Sequence, residues 1–316
     1  MKIQKILHQL SEMGHKEIIR STHAARKLLL SAGGAGLIAV FTVVLKIKIL
    51  HAPLSLFAAG FFGMLNFVAS FFFMQACRFR LATKQAPLIG AALGRKWIQI
   101  QMSSHGLSRL MERLAEELKL GIKTQLLSAA GNLLFVMLGC SFFHCIWVIC
   151  TGAALMSPIT ATAAIQSLHP YKSGSAAYAA FTGGILWFCA LGGGFLAQRF
   201  KPFSKTKVSL FFNLGLGAAL AYIPIFGHLL GLPLEVRHFT LSSGTLMMAM
   251  ATLGPLASIQ AGALNALLGV ILIGIMNFSV SFALAFISTG WNNSRKATLS
   301  SPFAHRPLLL DSIDMI

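Results

Sequence analysis

Long apolar runs, separated by short basic stretches, dominate this sequence and most restrict its fold. A transmembrane helix needs about 20 mainly apolar residues, and several runs approach or exceed that length. Hydrophobic residues make up 56% of the 316-residue chain and charged residues only 11%, whereas soluble domains contain roughly 25% charged residues. So few charges cannot cover the surface of a soluble protein of this size. We therefore predict an all-α fold, a polytopic transmembrane helical bundle.

The apolar runs predict six or seven membrane segments, with one segment as a candidate for re-entry. The fifth should bend or break at Pro224, and the sixth is interrupted by Gly254 and Pro255. Irregular backbone at membrane depth needs shielding by protein or water. We favour six crossings, with residues 233–259 re-entrant from the outer face, over seven crossings. The expected segments are residues 28–45, 54–77, 125–150, 173–198, 209–232, 241–259 and 264–288.

The remaining regions complete the predicted domain organisation. Residues 1–27 have apolar side chains at helical spacing with basic residues on other faces, which predicts an amphipathic helix on the membrane surface. The transmembrane domain is expected at residues 28–289, with a cytoplasmic, basic and helical loop at 78–123. Residues 290–316 are expected to form a polar C-terminal tail.

The distribution of lysine and arginine predicts the orientation in the membrane. The first 27 residues contain six Lys or Arg, residues 78–123 contain nine, and residues 199–207 contain four. Residues 46–53 contain two, and residues 156–172 contain one. The N-terminus should therefore be cytoplasmic. The net charge of +18 suits attraction to anionic lipid headgroups better than binding to nucleic acid.

The most unusual stretch, residues 222–244, brings polar side chains into an otherwise apolar half of the chain. Glu235 and Arg237 are two residues apart, so in an extended backbone they share a side and can form an ion pair. We interpret the stretch as a polar membrane site for an ion, a proton or a small solute. A structural plug and a wet external loop are the alternatives. The candidate residues are His228, Glu235, Arg237, His238, Ser242 and Ser243.

Two further clusters are secondary candidates. Thr83, Lys84 and Gln85 follow the second span, where a lysine either meets lipid phosphate or simply extends to the membrane surface. A second cluster before the fourth span suits an interfacial anchor, with a catalytic histidine as the alternative. Its residues are His169, Tyr171 and Lys172.

No cofactor or metal is expected from the sequence. The five cysteines form no CxxC pair and no zinc-binding spacing. Glycines inside the spans permit close helix packing, so membrane lipids and helix–helix self-association are the expected partners. No inverted repeat is strong enough to indicate a known transporter fold.

Four motifs carry a resemblance to a known family. They are LATKQAP (81–87), LHPYKSGSAAYAAFTGGILW (168–187), IFGHLLGLPLEVRHFTLSSGTL (225–246) and GIMNFSVSFALAF (274–286). In this order they resemble the bacterial membrane family labelled "site-specific recombinase". The resemblance implies a protein of the bacterial inner membrane, usually longer by a helical, non-membrane half before this region. The label itself implies DNA as a partner.

Three functions stay open from the sequence. The spans and the embedded polar stretch favour a role in transport, envelope upkeep or as a scaffold, without DNA chemistry. The second function is a membrane-bound recombinase, with Tyr222, Arg237 and His238 as part of its site; their predicted outer position would separate them from chromosomal DNA. The third is an enzyme acting on lipid through His228, Glu235 and His238. No hydrolase or nucleotide-binding signature is visible, which favours a protein that is not an enzyme.

Overall fold

The computed structural model describes residues 2–101, 107–199, 205–232 and 234–300, and every regular element in these ranges is a helix. In chain order the helices are α1 (Lys2–His15), α2 (Thr22–His51), α3 (Leu56–Ala76), α4 (Ala82–Gln101), α5 (Leu107–Thr151), α6 (Pro158–Ser167), α7 (Ser175–Arg199), α8 (Lys205–Leu229), α9 (Phe239–Leu253), α10 (Pro255–Gln260) and α11 (Ala263–Ser300).

Six of the described helices are long and apolar enough to cross a membrane. Their outer faces carry large apolar side chains, since Phe41 is 66% exposed and Phe188 is 70% exposed. A bilayer solvates such a surface, and the prediction of an all-α transmembrane bundle is confirmed. The spanning segments are Thr22–His51, Leu56–Ala76, Met111–Thr151, Ser175–Arg199, Thr206–Leu229 and Ala263–Gly290.

The sixth apolar segment of the sequence forms a helix that is too short to cross a membrane. α9 has 15 residues, or about 22 Å at the α-helical rise, whereas a bilayer core is about 30 Å thick. α9 ends at Gly254, whose φ of +79° favours glycine, and Pro255 then begins α10. α11 follows closely along the chain. The C-terminal end of α9 therefore lies at the end of the bundle where α11 starts.

The basic stretch 78–123 was expected to be a cytoplasmic loop, but it contains a helix that packs within the bundle. α4 runs parallel to the second part of α11: a Cβ at Gly90 would meet the Phe282 carbonyl, and one at Gly94 the Phe286 carbonyl. Glycine lets two helix backbones approach this closely. Local close packing, which average hydropathy does not register, therefore holds α4 in place.

The N-terminal helix also differs from the expectation of a helix resting on lipid. Ile6 packs against Gly194 of α7, and Gly14 packs against the backbone of Leu88 in α4. The apolar face of α1 is therefore covered by protein. The first span begins at Thr22, so the expected domain boundary at residue 27 falls inside α2.

Two differences concern helix ends. Pro224 lies inside α8 without ending it. α11 continues to Ser300, so the first part of the expected polar tail has a helical backbone, and the rest of that tail lies outside the described residues.

A buried asparagine connects three segments in the first half of the chain. The Asn132 side chain of α5 accepts a hydrogen bond from the Ala82 N–H (2.9 Å) and donates to the carbonyls of Ala32 (2.7 Å) and Arg80 (3.1 Å). It therefore joins the first span, the segment before α4 and the first residue of α4.

Asn277 of α11 makes the same set of bonds in the second half. Its side chain accepts from the Phe239 N–H (3.1 Å) and donates to the carbonyls of Ala179 (2.9 Å) and Arg237 (3.1 Å). These groups belong to α7, to the segment before α9 and to the first residue of α9. Helices α2, α3, α4 and α5 therefore correspond to α7, α8, α9 and α11.

Individual sequence positions support this internal repeat. A Cβ added at Gly36 would meet the Asn132 carbonyl, and one at Gly183 would meet the Asn277 carbonyl. One sequence offset relates Ala32 to Ala179, Gly36 to Gly183, Ile38 to Ile185, Phe41 to Phe188 and Asn66 to Asn213.

The two halves are inverted relative to each other. α3 and its equivalent α8 are antiparallel, because Gly60 lies against Ile225 while Gly217, near the middle of α8, lies against Val68. Each half contains three spans, and an odd number of crossings places the second half upside down in a membrane. The axis that exchanges the halves passes near the crossing of α3 and α8. Inverted repeats of this kind are common in transporters, and the sequence alone did not indicate one.

Candidate functional site

The N-terminal ends of two short helices meet inside the bundle. α4 begins at Ala82 and α9 begins at Phe239, and we call these two helices the half-helices. The hydroxyl of Thr83 and Nε2 of His238 are joined by a hydrogen bond of 2.8 Å. His238 is 2% exposed, so this contact is buried inside the bundle.

The contact lies near the middle of the spans. The His238 ring packs against Phe71 of α3, with ring centroids 6.3 Å apart, and Phe71 is one helical turn from the crossing of α3 and α8. Because the axis that exchanges the halves passes near that crossing, residues that meet across it lie near mid-membrane. α4 then runs towards one face, parallel to α11, and α9 runs towards the face where α11 begins.

The half-helices direct the positive ends of their dipoles at this central contact. The first N–H groups of a helix lack intrahelical partners and carry partial positive charge. Asn132 and Asn277 each accept one of these N–H groups and fix the backbone that precedes it. The remaining N–H groups give both ends an affinity for negative charge or for carbonyl oxygen.

A polar cavity lies on the α9 side of the contact, and we call it the outer cavity. Its volume is about 60 Å³, and a water molecule takes up about 30 Å³ of liquid. Arg237 lines it, pairs with Glu235 and donates to the Ser167 hydroxyl (3.4 Å). The other polar lining residues are Lys46, His238, Ser242 and Thr245.

A second polar cavity, the inner cavity, lies on the α4 side and has a volume of about 190 Å³. Lys84 lines it, donates a hydrogen bond to the Asn213 side chain and lies over the Phe71 ring, 4.5 Å from its centroid. Asn213 in turn donates to the Gln75 side chain (2.9 Å). The other polar lining residues are Gln75, Arg78 and Ser209.

The two cavities occupy equivalent places in the two halves, with the half-helix contact between them. His238 lines the outer cavity and Lys84 lines the inner one, while the Phe71 ring touches both side chains. We call these three side chains, Phe71, Lys84 and His238, the partition between the two cavities.

Several buried polar atoms near the partition lack a hydrogen-bond partner among the described residues. They are Nδ1 of His238, Nε of Arg237, Oγ1 of Thr240 and Oε1 of Gln85. A buried polar atom without a partner costs roughly 1–3 kcal/mol. Such atoms mark places where a ligand or water would restore a bond.

Two larger grooves, of about 620 and 600 Å³, are almost entirely apolar. The first lies between α2 and α3, and the second between the equivalent helices α7 and α8. Their positions on the outward faces of the spans suit lipid chains and offer no polar chemistry.

A family model described as "Site-specific recombinase" matches residues 3–205 and 196–289. The chain belongs to the site-specific recombinase family. A comparison with curated proteins finds no match. In this member of the family the tyrosines are Tyr171, Tyr178 and Tyr222. Tyr222 lies in α8 beside Gly60 and Phe226.

The primary candidates separate into two groups. Arg237, His238 and Ser242 line the outer cavity, and Glu235 forms the expected ion pair with Arg237. Ser243 donates instead to the Phe239 carbonyl within its own helix (2.8 Å). His228 lies exposed near the end of α8, and no hydrogen bond or ion pair within the described ranges joins its side chain to the others.

The secondary candidates also separate. Thr83 forms the half-helix contact and Lys84 belongs to the partition, whereas the Gln85 amide turns away and donates to Glu17 (3.1 Å). The His169 ring accepts from the backbone of Tyr171 (3.3 Å) and Lys172 (3.2 Å), which closes the turn between α6 and α7. Tyr171 is 85% exposed, as an interfacial anchor would be.

Sequence reasoning missed Lys46 and the buried asparagines at positions 132, 213 and 277. A signal was present, because a polar amide inside an apolar run is costly unless it is bonded. In the part of the chain that the structure describes, no cluster of three His, Cys, Asp or Glu side chains is placed to hold a metal ion.

Proposed function

We propose that this protein moves a small polar solute across the membrane along a path between the half-helices. The Thr83–His238 contact carries the proposal, because two helix N-terminal ends meet there between two polar cavities. Broken helices that end at mid-membrane bind solutes in many transporters through their free backbone groups.

The free-energy cost of placing polar side chains at membrane depth also supports transport. Polar and charged side chains at membrane depth are expensive, and they usually mark the paths of ions or solutes. A scaffold needs only packed spans, whereas here Lys84, Arg237 and His238 point into cavities.

The basic stretches support a bacterial inner-membrane location with the N-terminus in the cytoplasm. Each half has three spans, so the end of α11 would also be cytoplasmic. The inner cavity would then face the cytoplasm and the outer cavity the opposite side. Membrane lipids would surround the exposed apolar side chains.

The family label favours recombination, but the positions of the candidate groups support it less well. Attack on DNA by Tyr222 would require its hydroxyl to reach a phosphate, and Tyr222 lies in a span against Gly60. A lipid enzyme based on His228 and His238 is also less well supported, because His228 is exposed near the end of α8 whereas His238 is buried at the half-helix contact, so the two are not in one site.

Solute flux into proteoliposomes tests the proposal. Purified protein is reconstituted, and uptake of neutral solutes (glycerol and urea), cations (potassium) and anions (chloride and nitrate) is followed by light scattering or tracer. We expect at least one solute to enter faster than into protein-free liposomes. Equal rates for every solute, with protein that is folded by its melting profile, would contradict transport.

A matched pair of histidine variants links flux to the partition. His238→Leu removes the imidazole, and we expect flux to change by about tenfold or more, since hydrogen bonds to charged or buried groups have effects of that size. His23→Leu makes the same substitution at an exposed position in the first turn of α2 and should leave flux unchanged. Equal flux in both variants would exclude the partition as the path.

A further inference from the structure

Positive charge around the two cavities exceeds negative charge. Lys46 and Arg237 line the outer cavity, and Arg78 and Lys84 line the inner one. Among the described residues, Glu235 is the acid that forms an ion pair with any of these four cations. The partners of Lys84 are the neutral Asn213 amide and the rings of Phe71 and Phe212.

We propose that the transported solute is a small monovalent anion that passes the half-helix contact, with Lys84 as its side-chain partner in the inner cavity and His238 as its partner in the outer cavity. This inference rests on the proposed function and specifies its substrate. An anion in either cavity, beside the half-helix contact, would lie near the positive end of a helix dipole. It would also supply the countercharge that the lysine lacks in the described structure.

The orientation of His238 supports anion binding independently of the dipoles. Its Nε2 is held by the Thr83 hydroxyl, and its buried Nδ1 has no partner in the described ranges. When Thr83 donates to Nε2, the proton of the neutral imidazole resides on Nδ1. His238 is also one of the residues that line the outer cavity, and its Nδ1–H is a buried donor for which a bound anion would be a partner.

The cavity volume sets the size of the anion. The outer cavity, about 60 Å³, admits a solute of the size of about two water molecules. Chloride, nitrate and formate are of this size, whereas nucleotides and sugar phosphates are far larger. The path therefore selects by charge and by small size.

Anion flux and anion-dependent melting test the inference together. Wild-type proteoliposomes should take up chloride, nitrate or formate faster than protein-free liposomes, and faster than they take up glycerol, urea or potassium. In detergent, one of these anions should raise the Tm at constant ionic strength, because a ligand that binds only the folded state stabilises it.

Two lysine variants provide the matched control. Lys84→Met removes the cation of the inner cavity, and we expect at least about a tenfold loss of anion flux together with loss of the Tm increase. Lys48→Met removes an exposed lysine that rests on Trp147 (4.4 Å) outside both cavities, and should keep both. If Lys84→Met does not fold, Lys84→Arg, which keeps the charge, should retain the anion-dependent Tm increase.

Each contrary outcome has a distinct meaning. Uptake of glycerol or urea without uptake of anions would overturn the anion inference and leave transport standing. Absence of all flux would overturn transport itself. A Tm increase with phosphatidylglycerol but not with chloride, nitrate or formate would assign the cations to lipid headgroups and overturn the inference.

Discussion

The two halves of the molecule share one frame but contribute different polar groups to its centre. Asn132 and Asn277 make equivalent bonds. By this equivalence, Leu81 in the first half occupies the position of His238 in the second, and Lys84 the position of Leu241. The first half therefore provides a cation to the inner cavity, and the second half provides an imidazole to the outer cavity. Equivalent hydrogen bonds to the backbone therefore set the repeated arrangement of helices, while the side chains that line the cavities differ between the halves.

The halves also differ in how far their half-helices extend. α4 has 20 residues and α9 has 15. Beyond the partition, α4 carries Lys96, which together with Arg20 binds the buried Glu117 carboxylate. The second half has no equivalent network within the described residues, so ion pairs stabilise the end of the bundle that contains the end of α4, and packing stabilises the opposite end.

The largest expected effect comes from removing the two asparagines that define the frame. Asn132→Ala and Asn277→Ala each leave one backbone N–H and two carbonyls without their partner, and we expect a loss of about 3 kcal/mol or more of stability in each. Thermal unfolding in detergent measures the effect.

Ser141→Ala is the control for the asparagine variants, because Ser141 bonds only to the Met137 carbonyl of its own helix (3.0 Å). We expect a change below about 0.5 kcal/mol for this variant. A strong loss of stability in one asparagine variant, with none in the other, would contradict the equivalence of the two halves.

A smaller effect is expected from glycines at helix contacts. A Cβ at Gly90 of α4 would meet the backbone of Phe282, whereas one at Gly244 of α9 would meet the Val43 side chain at 2.8 Å. Gly90→Ala should cost about 1–3 kcal/mol, and Gly244→Ala less, because a side chain yields more easily than backbone. Gly184→Ala, which has no atom within 4 Å, should not destabilise. Melting temperatures in the reverse order would contradict this packing.

The smallest expected effect is a pH dependence that arises from His15 of α1. Burial lowers the pKa of His15 in α1, and Lys96 and Arg95 lower it further while Glu117 opposes them. The folded state therefore binds this proton less well than the unfolded chain, whose His pKa is about 6.5. Stability contributed by neutral His15 is full above that value and is lost as pH falls through the window between it and the lowered folded pKa.

His15→Gln isolates this titration. Between pH 7.5 and pH 5.5, the Tm of the wild type should fall further than the Tm of His15→Gln. In the second half, the short helix α6 contains no ionisable side chain, so it offers no titration of this kind. Equal losses in the two proteins would show that His15 does not report the docking of α1.

The sequence was informative where hydrophobicity alone decides the structure. Six spans, a short segment ending at Gly254 and the Glu235–Arg237 pair all follow from run length, charge and spacing. α4 was not predictable in this way, because Lys84, Arg95 and Lys96 lower its mean hydropathy while its glycines provide the packing. The partition was predicted in part, since Lys84 and His238 were candidates in separate clusters, whereas Phe71 was not a candidate.

The repeat escaped detection because few of its positions keep the same residue. Asn66 and Asn213 match in sequence, but Asn132 and Asn277 lie at a different offset, since the segments around the half-helices differ in length. Equivalent hydrogen bonds, which need the folded chain to be seen, identify the halves more clearly than equal residues do.

Side-specific cysteine labelling tests the central claim that the half-helices approach from opposite faces. With the five native cysteines replaced by alanine, Ser242→Cys reports the outer cavity and Ser209→Cys the inner cavity. In proteoliposomes of one orientation, a membrane-impermeant thiol reagent added to one side should modify only one of these cysteines, and the same reagent on the other side only the other. Modification of both cysteines from the same side would contradict the inverted arrangement and the path built on it.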